Sequence, residues 1–429
     1  MKPRVVLSRA LCFVGAAVFA LGLSASENWP QFRGPKADGK SDAKGIPTTW
    51  SDTDHIKWKT PIAGKAWSCP VVFGDQVWVT TAPKDGKKLS AVQINRDSGK
   101  IEKDILLFEV EAPQFCHEYN SYASPTPVIE EGRIFVTFGS PGTTCIDTKS
   151  GEKIWERRDF VCNHYRGAGS SPVVYNNLLI MNFDGSDFQF VVALDKSTGK
   201  TVWKTTRSID FQDLKDGKPE AEGDWRKGFS TPRINHFDGR DLLISLGSKA
   251  LYAYDPLTGT DIWRIEERKC HSGSSQPAVV DGMVYSCMGF SNGQLLAVKP
   301  GKMRGVLDDS HIVWRSARNV SLKPSVLIDN GLLYMIDDNG IFSCLDAATG
   351  QEVFRERIEG KGNYSASPLL IDGRIYLFSD QGRATVLAAG REFKVLAANT
   401  MPDGIMSTPA IAGKAMFLRT KAALYRVEE

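Results

Sequence analysis

The stretch "ALDKSTGKTVWK", Ala193 to Lys204, reads as the end of one β-strand, a tight turn and the start of another. Its aspartate and the "x-x-T-G" that follows put glycine where the turn needs a positive φ. An aromatic residue comes four positions later. The phrase returns as "CIDTKSGEKIWE" from Cys145, "AYDPLTGTDIWR" from Ala253 and "CLDAATGQEVFR" from Cys344. A second phrase precedes each copy: a small polar residue, a proline, an apolar run, a turn and another apolar run. Examples are "SSPVVYNNLLIMNF" from Ser170 and "SPLLIDGRIYLFS" from Ser367. The shared prolines are Pro70, Pro127, Pro172, Pro232, Pro277, Pro324, Pro368 and Pro409, spaced 57, 45, 60, 45, 47, 44 and 41 residues apart. Eight units with a period near 45 imply a repeat architecture.

Each unit divides into four short strands. Proline opens strand one, where no ladder N–H is lost. Pairs such as Asp281-Gly282 and Asp372-Gly373 suit the hairpin to strand two. The opening phrase joins strands three and four. One such sheet cannot bury both its faces, whereas a closed ring of them can. The expected fold is therefore all-β: an eight-bladed β-propeller of four-stranded antiparallel blades. Trp155, Trp203, Trp263, Trp314, Phe354 and Phe393 are expected to pack between blades. The last unit, from Ser407, ends after three strands. "HIKWKTPI" from His55 supplies a fourth, with Trp58 in the aromatic place. The N-terminal strand is thus expected to pair into the last blade and close the ring. These readings divide the chain into residues 1–26, an extended segment 27–54 and a single propeller 55–429.

Residues 1–26 have the pattern of a cleaved secretory signal peptide. Lys2, Arg4 and Arg9 precede an apolar run, Ala10 to Leu23, and the small residues Ser24, Ala25 and Ser26. The run is shorter than the roughly 20 residues a spanning helix needs. Cys12 lacks the small residue before it that a lipoprotein signal requires. The expectation is a periplasmic or secreted protein, monomeric, with no transmembrane segment in the mature chain. Export makes disulfides feasible. Seven cysteines follow the signal, an odd number, and no CxxC occurs, which excludes a zinc ribbon or a thioredoxin-type site. Cys116 and Cys162 precede equivalent strands and are candidates for a bridge. A net charge of +3 gives no argument for nucleic acid.

The "LDxxTGxxxW" phrase resembles the tryptophan-docking repeat of pyrroloquinoline-quinone (PQQ)-type propellers. Quinoprotein alcohol dehydrogenases share it, as does the propeller lipoprotein that assists outer-membrane protein assembly. "NWPQFRGPKADGKS" from Asn28, "NHYRGAGSSP" from Asn163, "DGSDFQ" from Asp184 and "NYSASP" from Asn363 resemble the exported PQQ-like propellers of planctomycete-type bacteria. The repeat is specific for fold and much less so for function. Two functions follow from the resemblance: a non-catalytic binding or scaffold module for protein or glycan, and a PQQ- and Ca²⁺-dependent oxidoreductase. The quinoprotein pattern needs adjacent cysteines, and no such pair occurs here. The binding module is therefore the leading expectation, with no catalytic residue or cofactor assigned.

Function in propellers tends to sit in loop additions. The long spacings place these at Glu109 to Ala123 and Arg207 to Phe229. Loops before strand one offer His117, Asn120, His164, Tyr165, Arg166, Arg226, Lys227 and His271 to one rim, and a two-to-three loop adds Asp184, Asp187 and Gln189. Together these could bind an anion, a sugar or a cation. The alternative is that they cap turns and pair with one another. No metal is expected. Asp184 to Asp187 lacks the ligand spacing of an EF-hand, and the three rim histidines come from separate units.

Overall fold

The reason for the repeated phrase is visible in how one blade meets the next. The computed structural model describes residues 27–215, 218–219, 223–237, 239–290 and 292–429; the expected signal segment lies outside them. Eight four-stranded antiparallel sheets form the ring: blade 1 over 71–109, then 128–157, 173–206, 233–266, 278–316, 327–357, 369–400 and blade 8 over 410–427. In each, strand one is innermost and strand four outermost. Ile56–Pro61 supplies the outer strand of blade 8 by pairing antiparallel with Ala423–Val427. Apart from two single 3-10 turns, the described residues contain no helix.

Where strand four carries a tryptophan and the following blade an x-x-T-G or x-x-S-G turn, the ring docks on that turn. Trp58, Trp155, Trp203 and Trp314 donate Nε1–H to Arg96, Lys196, Pro256 and Ala347 carbonyls at 2.9 to 3.1 Å. The turn glycine has a positive φ and lies flat against the ring. A Cβ on Gly199 would fall 2.7 Å from Trp155, and one on Gly259 would fall 2.4 Å from Trp203. Trp263 is the exception. Blade 5 has no x-x-T-G turn. Its Gly305–Leu307 instead runs parallel to strand four of blade 4, and Trp263 Nε1 has no partner among the described residues.

The small polar residue before each proline clasps neighbouring blades. Backbone N–H groups of Cys69, Thr126, Ser171, Gln276, Ser325 and Ser367 donate to hydroxyls of Thr126, Ser171, Thr231, Ser325, Ser367 and Thr408 in the next blade, at 2.8 to 3.0 Å. This belt corrects one register. Ser325 stands where Thr126 and Ser367 stand, so Val326, not Pro324, occupies the proline position of blade 6.

Residues 27–41 plug the central channel. Trp29 and Val72 of blade 1 exchange backbone hydrogen bonds at 2.8 and 2.9 Å, and Pro30 O accepts from Ile129 N of blade 2 at 2.9 Å. Lys36 O accepts from Arg233 of blade 4 at 3.0 Å, and Arg33 donates to Val326 O at the mouth of blade 6 at 2.8 Å. Lys40–Ser41 then pairs parallel with Leu370–Ile371 of blade 7. A short segment can reach the inner strands of five blades only on the axis. It enters beside the Gly74 turn and leaves beside Asp372. The plug is therefore inserted from the face of the one-to-two turns, and Arg33 reaches furthest in.

Candidate functional site

The opposite face carries the four-to-one and two-to-three loops, including both long additions. It gathers the sequence candidates into two groups with different environments.

The first group is buried between blades 2, 3 and 4. Asp184, at the end of strand two of blade 3, receives two hydrogen bonds from Arg207, Nε to Oδ1 at 2.9 Å and Nη2 to Oδ2 at 2.7 Å. Both side chains are 2 % exposed. Arg207 also lies over Tyr252 and Tyr254. Lys227 is buried, and its Nζ donates to the carbonyls of Asp184 (2.8 Å) and Gly228 (2.7 Å). Desolvation lowers its pKa, against the pull of nearby acids. His164 Nε2 accepts from Ser140 N at 2.9 Å, which leaves the ring proton for Nδ1. Burial, and then the Lys227 charge, hold His164 well below the usual imidazole range, so it is neutral. Cys162 Sγ lies 3.5 Å from Nε2, and burial pushes this thiol up to about 12. Gln189 is buried and donates to Gly185 O at 2.8 Å.

The second group forms an arc that is open at Phe115 and Tyr119 and buried at His271. Phe115, His117 and Tyr119 come from the addition after blade 1, and Tyr165 and Arg166 from the loop before blade 3. Trp225 comes from the addition after blade 3, and His271 from the loop before blade 5. Ring centroids follow one another: Tyr119 to His117 at 5.6 Å, His117 to Phe115 at 6.5 Å and Phe115 to Tyr165 at 6.1 Å. Arg166 covers Tyr165 and pairs with Asp224 at 2.7 Å, and Trp225 packs on His271 at 5.4 Å. Lys249 Nζ lies 3.7 Å from the Trp225 ring centre. Burial lowers the His271 pKa. Phe115 and Tyr119 are each 60 % exposed.

The remaining candidates hold loops together. Asn120 donates to the carbonyls of Arg166 and Ala168 at 2.8 and 3.1 Å and accepts from Ser121 N and Ser124 Oγ. Asp187 Oδ1 accepts from Asn163 N and Phe188 N, both at 2.7 Å. Asp338 with Leu322 N and Asp380 with Asn363 N repeat that anchor in blades 6 and 7. Arg226 is forked onto Asp213 at 2.7 and 3.1 Å. Cys116 and Cys162 are both free thiols, as are the other five cysteines of the described residues.

The site candidates read from the sequence included neither Arg207, the partner of Asp184, nor the arc residues Phe115, Tyr119, Asp224 and Trp225. All five lie in the two additions. Their count of aromatic and charged residues was the available signal.

The buried group does not suit a quinone with Ca²⁺. The cavity bounded by His164, Ser170, Asn182, Asp184 and Lys227 is about 10 Å³, room for a water molecule but far below a cofactor pocket. Its one carboxylate is already held by Arg207, and no three His, Cys, Asp or Glu residues gather to hold a metal among the described residues.

A family model described as "Outer membrane protein assembly factor BamB" matches residues 75–208 and 187–428. No curated protein matches the sequence. Among solved structures, a europium-containing methanol dehydrogenase superposes with a TM-score of 0.67 at 12% identity, covering 92% of this chain and 90% of that one. BamB from Moraxella catarrhalis gives 0.56 at 11% identity, covering 86% and 99%. A quinohemoprotein alcohol dehydrogenase from Comamonas testosteroni gives 0.65 at 11% identity, covering 93% and 80%. At these identities the likeness is one of fold. The family match spans nearly the whole ring, and the chain belongs to the BamB-like family of PQQ-repeat β-propellers.

Proposed function

We propose that this protein is an exported, non-catalytic binding module that takes a protein or glycan partner on its rim. The observation that carries the reading is the open arc. Large rings that stand free on a rigid rim offer contact area at little entropic cost. Here they alternate with polar and charged groups that can fix a partner's orientation. Export rests on the basic and apolar N-terminal residues, and the reading takes the mature protein as a soluble monomer. The test is titration calorimetry against soluble glycans and against peptides from cell-envelope proteins, with the intact protein and with a Phe115→Ala/Tyr119→Ala variant. A partner bound by the parent and weakened at least about tenfold, some 1.4 kcal/mol, by the double change supports the reading. A partner bound equally by both proteins overturns the arc as the site.

A further inference from the structure

The plug meets the inner strands on the axis of the ring. Two arginines meet there. Arg33, from the plug, is 2 % exposed, and Arg233, the first residue of strand one in blade 4, is 8 % exposed. Arg33 Nη2 is used by the carbonyls of Val326 and Asp38, both at 2.8 Å, and Arg233 Nη2 by Lys36 O at 3.0 Å. Arg33 Nε and Nη1 and Arg233 Nε have no hydrogen-bond partner among the described residues. Asp38 is the acid whose charge reaches both. It is half-buried, its Oδ1 accepts from Lys40 N at 3.1 Å, and it makes no ion pair with either arginine.

Two like charges thus lie buried together with little compensation. Burial, and then the Arg233 charge, lower the Arg33 pKa to about 9, which still leaves it protonated at neutral pH. Buried ions are normally paired, and buried N–H groups normally have an acceptor. The guanidinium fork matches the oxygens of sulfate, phosphate or a carboxylate.

We propose that a small oxyanion binds between Arg33 and Arg233. It would accept from the N–H groups that the protein leaves unused. One arginine belongs to the N-terminal segment and the other to the ring, so the anion pins the plug in place.

A ligand that binds only the folded state raises its melting temperature. The purified protein is dialysed into chloride buffer of fixed ionic strength, and its melting is followed as sulfate, phosphate or acetate replaces chloride. The expected result is a saturable rise of about 3 °C at a hundredfold excess over Kd. A rise with acetate that exceeds the rise with sulfate and phosphate assigns the site to carboxylates, and a rise with sulfate or phosphate alone assigns it to inorganic anions. Arg233→Gln is expected to weaken the anion at least about tenfold, as is Arg33→Gln. If Arg33→Gln fails to fold, Arg233→Gln and ion chromatography of anion released from the denatured parent keep the test intact. Melting that ignores the oxyanion at fixed ionic strength overturns the proposal. So does an equal rise in Arg233→Gln, which would mean an adventitious ion only.

Discussion

His164 enters the fold as a neutral base whose lone pair is already committed to Ser140 N–H. Its pKa is depressed by burial in the native state and near 6.5 in the unfolded chain. The unfolded state therefore binds more protons once pH falls below about 6.5, and stability is lost in that direction. The expected loss from this residue is about 1 kcal/mol between pH 7.5 and 5.5, read from urea denaturation at the two values. His271 shifts in the same direction, so His164→Gln should flatten the dependence in part. The Asp184–Arg207 pair makes a sharper demand. Asp184→Ala strands a buried guanidinium and is expected to cost about 3–5 kcal/mol, whereas replacing both partners by Leu and Met should recover most of it. If Asp184→Ala melts like the parent, the pair is not held as described.

At the scale of the turn, glycine serves both backbone and packing. Gly199 has φ 70° and a Cβ would meet the Trp155 ring at 2.7 Å, while Gly282 has φ 73° and faces open space. Gly282→Ala should cost only the backbone term, about 1 kcal/mol. Gly199→Ala adds displaced ring packing and should cost about 1–3 kcal/mol more. Equal losses in the two variants would show that the glycine is not the seat of tryptophan docking. The hydroxyl belt gives a milder prediction. Ser171→Ala leaves Thr126 N–H buried without its acceptor, at about 1–3 kcal/mol. The same change at Ser197, a half-buried turn residue that accepts from Arg133 Nη1 at 3.1 Å, leaves no buried backbone N–H stranded and should cost less, about 0.5–1 kcal/mol.

At the scale of the ring, closure draws on more than one strand. Ile56–Pro61 pairs with blade 8, Trp58 docks on the blade 1 turn, and Arg419 of blade 8 donates to Ser68 and Thr80 of blade 1 at 2.7 to 3.0 Å. Deleting residues 55–61 removes the strand and its tryptophan together and leaves the outer edge of Ala423–Val427 unpaired. Melting is expected to become broader and to begin several degrees lower. A truncated protein that melts like the parent would show that the ring closes without this strand. Phe115 and Tyr119 are exposed on a rim loop, whereas Arg33 and Arg233 are buried at the inner strands. Phe115→Ala/Tyr119→Ala should therefore leave the response to oxyanions unchanged.

The repeat, the strand count per blade, the turn chemistry and the closing strand were all legible in the sequence. Each rests on local rules: a glycine where φ is positive, a proline where no N–H is needed, an aromatic at a fixed step from the turn. Pro324 marks the limit of that reading, because a proline two residues early looks the same in one dimension and only the belt of hydroxyls showed Val326 in its place. The rim residues were legible as a set but not as two groups. Residues adjacent in sequence, such as His164 and Tyr165, went to a buried and an open environment because ring curvature decides which side chains face a neighbouring blade. The plug was legible only as an extended segment. Its place on the axis, and the meeting of Arg33 with Arg233 two hundred residues away, exist only once the ring has closed around it, since no local preference can specify contacts between distant parts of the chain.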